Sequence, residues 1–231
     1  MENLFSEALI ATIRKAPVIA VLTIDRAEDA VPLSRSLLRG GISAVELTLR
    51  TPAALDALDR IKAETPEITA GVGTILNPEQ VRAVKNRNAA FGVSPGLNPQ
   101  VVAAAKELGL YFAPGILTPS ELESAYSLGC NVMKLFPAEP AGGLSYLDSI
   151  NAPYAHLGIQ YIPLGGVSQE NLPRWLEHPC VLGVGGSWLA PRKLIQEKDW
   201  DRISRTCEKA AETAVKIRKP YTQHSPALEK P

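Results

Sequence analysis

The chain has 231 residues, 45% hydrophobic and 21% charged, the balance of a globular protein. Its 24 basic and 24 acidic side chains cancel, which argues against a broad nucleic-acid or membrane-binding surface. The three cysteines, Cys130, Cys180 and Cys207, are odd in number and widely spaced, so they fit neither a disulfide framework nor a zinc site and read as buried or indifferent thiols.

The first segment, MENLFSEALIATIRKAP, places Phe5, Leu9, Ile10 and Ile13 at helical spacing and reads as an amphipathic helix, not a signal peptide. No apolar stretch reaches the ~20 residues that span a bilayer, and a cytoplasmic location is expected. PVIAVL (17–22) is the first strand, followed by a helix that Gly40 and Gly41 close. SAVELTL (43–49) is the second strand. The helix after it takes Thr51 as N-cap and Pro52 as its first residue. ITAGVG, AAFGVS, LYFAPG, NVMKLFP, QYIPLGG and CVLGVGG follow as strands, each with a helical pattern behind it, and the last helix runs to about Ile217.

Thr51, Asn77, Asn98 and Thr118, each followed by proline, repeat the same helix-starting chemistry from unit to unit. Repeated βα units imply parallel strands with right-handed crossovers. Eight of them, with no dinucleotide glycine fingerprint after the first strand, predict an α/β fold: a (β/α)8 TIM barrel with an N-terminal helix, one domain over residues 1–217. Residues 218–231 carry prolines and no periodicity and are expected to be a disordered tail.

In such a barrel, active sites form at the C-terminal ends of the strands. Glu46, Thr48 and Arg50 are two apart and share one face of their strand; Val132, Lys134 and Phe136 share a face of theirs. If both faces point inward, Lys134 and Glu46 can meet across the barrel. One reading is a structural ion pair, which carries a desolvation cost and often does not stabilise a fold. The other is chemical. Desolvation disfavours a charged ammonium, a neutral amine attacks carbonyls to form a Schiff base, and a carboxylate beside it can move protons.

GGVS (165–168) and GGSW (185–188) are read as glycine-rich turns after the seventh and eighth strands, the usual phosphate site of this architecture. Arg50, at a strand end, can grip a carboxylate or make a surface salt bridge. Thr74 follows the third strand, where its hydroxyl either enters the site or caps the next helix. Pro95 follows the fourth, where turn-making alone would explain it. His156, His178 and His224 match no metal spacing and read as ordinary surface histidines. No metal site and no cofactor are expected.

VELTLRT, GVGTILNPEQ, VSPGLN, MKLFPAE, PLGGVS and GGSWLAP together resemble the 2-keto-3-deoxy-6-phosphogluconate (KDPG) and 4-hydroxy-2-oxoglutarate aldolase family, in order, from about residue 6 to 212. The resemblance implies a metal-free class I aldolase of sugar-acid breakdown of the Entner–Doudoroff type, on a (β/α)8 barrel and commonly a homotrimer. It implies that a keto acid and an aldehyde are its partners. Lys134 matches the Schiff-base lysine and Glu46 the general acid/base. Arg50 and Thr74 match the groups around the pyruvyl carboxylate, and Pro95 and Phe136 the apolar walls. Gly165, Gly166 and Ser187 match the phosphate site, to which the Gly185–Gly186 pair is also assigned. The family commonly has Pro-Thr-Gly-Gly in the seventh strand; here Leu164 replaces the threonine, and phosphate binding is expected to be weakened but not lost. Two competitors are a phosphosugar isomerase or epimerase using Glu46 as base, and a sugar-phosphate-binding barrel without catalysis.

Overall fold

The structure is a computed structural model, and it describes residues 4–218. Strands β1 (Val18–Leu22), β2 (Ala44–Thr48), β3 (Thr69–Gly73), β4 (Gly92–Val93) and β5 (Phe112–Ala113) pair in parallel in that order, and β9 (Val184–Gly186) pairs with the free edge of β1. A second parallel sheet runs β6 (Gly115–Ile116), β7 (Val132–Leu135), β8 (Gln160–Pro163). The two sheets join twice. Residues 112–116 are one run interrupted at Pro114, whose first half pairs with β4 and whose second half pairs with β7. At the other seam, Tyr161 bridges Val181, just ahead of β9. The sheet therefore curls back towards its start through eight strand runs, as the βα count predicts. The fifth run breaks at Pro114, which offers no backbone donor to a continuous ladder.

The helices are α1 (Glu7–Lys15), α2 (Ala30–Arg39), α3 (Ala54–Glu64), α4 (Pro78–Asn86), α5 (Pro99–Glu107), α6 (Pro119–Ser127), α7 (Gly143–Asn151), α8 (Leu172–Glu177), α9 (Arg192–Gln196) and α10 (Trp200–Ile217). Asn77, Asn98 and Thr118 cap α4, α5 and α6 as expected, Thr118 with a full capping box to Glu121. Thr51 does not cap α3. The helix starts three residues later, and the Thr51 hydroxyl donates to the carbonyl of Ile24, tying the loop after β2 to the loop after β1.

Two apolar clusters divide the interior. The larger lies between barrel and helices, and outward-facing residues such as Val45, Leu47, Met133 and Leu135 belong to it. The smaller fills the barrel: Ile19, Ala44, Phe91, Val93, Val132, Ile162 and Leu164 meet Phe5, Leu9, Ile10 and Ile13 around α1. The amphipathic N-terminal helix thus packs its buried face onto the barrel-interior cluster, each buried apolar side chain contributing about 1.5–3 kcal/mol.

Arg218, assigned to the tail from sequence, is held. Its guanidinium donates to the carbonyls of Leu176, Val181 and Leu182. Burial, with Arg14 nearby, disfavours its charge. The rest of the expected tail, 219–231, lies outside the described residues. Among the described residues no helix is long and apolar enough to cross a membrane.

Candidate active site

Alternation along β2 turns Ala44, Glu46 and Thr48 away from the outer layer that takes Val45 and Leu47. On β7 the same alternation turns Val132 and Lys134 inward and leads to Phe136 just beyond the strand. Lys134 and Glu46 are buried, 5% and 3% exposed. Lys134 Nζ lies 3.1 Å from Glu46 Oε1 and 3.5 Å from Oε2, and 5.5 Å from the centre of the Phe136 ring. The Lys134 nitrogen thus sits against one carboxylate and one aromatic ring.

Glu46 rests on a glycine. A Cβ at Gly73 would fall 1.9 Å from Glu46 Oε1. Two residues earlier on the same face, the space beside Gly71 is taken by the Phe91 ring. Above Glu46, Thr48 Oγ1 donates to the Leu22 carbonyl and lies 3.1 Å from Thr23 Oγ1. The Thr48 proton is committed to that carbonyl, so the hydroxyl of Thr23 is the donor between the two.

Arg50 sits in the turn beyond β2, exposed, with no salt bridge among the described residues. The surface-pair reading of this residue is therefore not realised, and its guanidinium is free for an anion at the mouth. Thr74 follows β3 with a φ of 62°, a left-handed conformation that a β-branched residue rarely adopts. It does not cap the next helix, because Asn77 does. Pro95 lies in the turn after β4. Its backbone packs so closely on Gly115 that a Cβ there would be 2.3 Å from the Pro95 carbonyl, and Gly115 is the register neighbour of Lys134.

The two glycine pairs are not alike. Gly165 and Gly166 have φ values of 89° and 83° and form a tight turn after β8. Gly185 and Gly186 are not in a turn. They are the buried last residues of β9, and the turn falls on Ser187 and Trp188. What demands glycine there is space: the Leu164 side chain occupies the room beside Gly185, and the Trp188 ring that beside Gly186. Helix N-termini do not follow directly either, since α8 begins at Leu172 and α9 at Arg192. Leu164, 5% exposed, belongs to the barrel-interior cluster and bridges the ends of β8 and β9.

Glu139 was not singled out from sequence. Its Oε1 accepts from Trp175 Nε1 at 2.7 Å, and its backbone N–H donates to the Gly165 carbonyl at 3.0 Å, so it ties the loop after β7 to the Gly165–Gly166 turn. An acid beside two glycines in AEPAGG was the available signal. At the same end of the barrel, Arg192 and Gln196 donate to Asp25, strapping the loop after β1 to α9. These hydrogen bonds hold the Asp25 carboxyl well below its usual range, at about 2.

The histidines divide. His178 is not an ordinary surface residue: Nε2 is 2.8 Å from Asp148 Oδ1 and Nδ1 is 3.1 Å from Cys180 Sγ. His156 is exposed in a short 3-10 segment, and His224 lies outside the described residues. All three cysteines are free, Cys130 and Cys207 buried and Cys180 half-buried. No group of three or more His, Cys, Asp or Glu among the described residues could hold a metal ion.

The family model for KDPG and KHG aldolase matches residues 9–206. The KHG/KDPG aldolase of Escherichia coli is 38% identical over 209 residues, 90% of this chain and 96% of that protein. The 2-dehydro-3-deoxy-phosphogluconate aldolase of Haemophilus influenzae is 36% identical over 87% of this chain and 93% of its own length. Among solved structures, the KDPG aldolase of Legionella pneumophila, with pyruvate captured as a covalent carbinolamine intermediate, superposes with a TM-score of 0.82 at 35% identity, covering 87% of this chain and 97% of that one.

Proposed function

Because the chain belongs to the KDPG and KHG aldolase family, we propose that its buried lysine–glutamate pair performs the family's carbon–carbon cleavage. The chain is a class I aldolase, cleaving 2-keto-3-deoxy-6-phosphogluconate or a related 2-keto-3-deoxy acid to pyruvate and an aldehyde, here glyceraldehyde 3-phosphate. The observation that carries the residue assignment is the 3.1 Å contact of Lys134 Nζ with Glu46 Oε1.

An ammonium must lose a proton before it attacks, and here a carboxylate stands within reach to receive it. The amine adds to the C2 ketone, and Glu46 passes protons so that the ketone oxygen leaves as water and an iminium remains. Glu46 then takes the proton of the C4 hydroxyl as the C3–C4 bond breaks. The bonding electrons flow into the iminium and leave an enamine. Protonation at C3 and hydrolysis release pyruvate and restore Lys134. In this reading Arg50, unpaired at the mouth, grips the substrate carboxylate with Thr74 beside it. Pro95 and Phe136 form the walls. The Gly165–Gly166 turn and Ser187 take the phosphate. Gly185 and Gly186 make room for Leu164 and Trp188 in this scheme and are not themselves phosphate ligands.

The test is borohydride reduction in the presence of pyruvate, with the adduct mapped by mass spectrometry. Lys134 should carry it; an adduct at another lysine rejects the assignment. An isomerase would need no imine, and a mere binding barrel no amine against a carboxylate, so the contact favours neither. Activity on 4-hydroxy-2-oxoglutarate is part of the proposal, supported by the E. coli relative's name. So are a cytoplasmic homotrimer and a role in Entner–Doudoroff-type metabolism, which rest on the family likeness.

A further inference from the structure

We infer that Gly73 is a positioning residue for the reaction: the side chain it lacks is the seat of the Glu46 carboxylate. The inference rests on Glu46 being the acid/base proposed above. A Cβ built on Gly73 would stand 1.9 Å from Glu46 Oε1, 2.5 Å from Cδ and 2.7 Å from Cγ. Its three nearest neighbours all belong to that one side chain. Gly73 pairs with Thr48, whereas Glu46 pairs with Gly71. The glutamate therefore leans one pleat towards the C-terminal end of the barrel and lies across the bare backbone of β3.

Gly73 has no positive φ. Alanine could adopt its backbone without strain, so the requirement for glycine here is room and not conformation. With a methyl group in place the carboxylate must swing off the floor of β3, and its contact with Lys134 is lost. Gly73 acts through Glu46 and touches no reacting atom.

The test is a double-mutant cycle on cleavage of 2-keto-3-deoxy-6-phosphogluconate, read by pyruvate release. Gly73→Ala should lower kcat about a hundredfold while KM changes less than about threefold, a loss within the usual share of general acid–base catalysis. In the Glu46→Gln background, Gly73→Ala should add less than about threefold, because the group it displaces no longer transfers protons. Equal losses in both backgrounds, or normal turnover of the single variant, would overturn the inference. If Glu46→Gln itself turns over normally, the acid/base reading fails instead. If Gly73→Ala does not fold, Glu46→Ala/Gly73→Ala decides. With the carboxylate gone the methyl has its room, and the double variant should melt at or above Glu46→Ala. An unfolded double variant would mean that Gly73 serves the fold and not Glu46.

Discussion

Lys134 Nζ and Glu46 Oε1 stand 3.1 Å apart although 88 positions of sequence separate the two residues, and both side chains are buried. A pair so placed loses most of its hydration, and removing either member leaves the other uncompensated. The following outcomes are expected from it and from its surroundings.

Lys134→Arg should abolish cleavage while leaving the protein folded. A guanidinium stays protonated and forms no imine, yet it still pairs with Glu46. Measurable turnover of the purified variant would take Lys134 out of the mechanism.

Glu46→Gln should retain pyruvate binding and slow turnover by roughly 10²–10⁴. Pyruvate affinity and kcat measured side by side make the check. A variant that loses both together has lost the site's architecture, and near-normal kcat would acquit the carboxylate.

Leu164→Thr should change substrate preference. Leu164 packs inside the barrel against Gly185, not among the outer helices. A hydroxyl there would face the mouth beside the Gly165–Gly166 turn. One hydrogen bond to a charged group is worth roughly 1.5–3 kcal/mol, and to a neutral one roughly 0.5–1.5. kcat/KM on the phosphorylated substrate should rise roughly three- to thirtyfold and that on 4-hydroxy-2-oxoglutarate by less, so their ratio should rise. Lost packing should cost roughly 1–3 kcal/mol of stability. A flat or falling ratio would show that this position does not read the phosphate.

The cysteines should resist alkylation in the native protein. Burial pushes the thiols of Cys130 and Cys207 up to about 12 and that of Cys180 up to about 11. At pH 8 the thiolate fraction is then about 10⁻³ or less. Iodoacetamide should label all three only after denaturation. Native labelling of Cys180 would mean that His178 draws off its proton despite burial.

Acid should weaken the strap between the loop after β1 and α9. The Asp25 carboxyl is lowered from 3.8 to about 2, chiefly by the hydrogen bonds of Arg192 and Gln196. A lowered folded-state value stabilises the fold above about 4, and the contribution disappears as pH falls to about 2. Urea melts of the wild type and Asp25→Asn should therefore differ at pH 6 and converge towards pH 2. A difference that does not depend on pH would assign the effect to shape and not to charge.

Much of this was legible in the chain. Proline after Asn77, Asn98 and Thr118 marks three helix starts, because a cap is satisfied by the residues next to it. The same signal misled at Thr51, whose hydroxyl found the Ile24 carbonyl from another loop. Thr74 shows the limit from the other side: its position was readable, but its left-handed backbone was not, since nothing in GVGTILN requires it.

Sequence alone determined the βα repeat, the amphipathic N-terminal helix and the shared strand faces carrying Glu46 and Lys134. Side-chain direction in a strand alternates residue by residue and needs no knowledge of what lies opposite. Only the tertiary structure decided which inward residues touch. It decided that Gly185 and Gly186 end a strand instead of forming a turn, and that Leu164 fills the space beside one of them. It also decided that the Glu46 side chain takes the space beside Gly73. Each of these depends on a side chain arriving from another strand. The room left by a missing Cβ is set by that neighbour across the sheet, not by the residues before and after it in the chain.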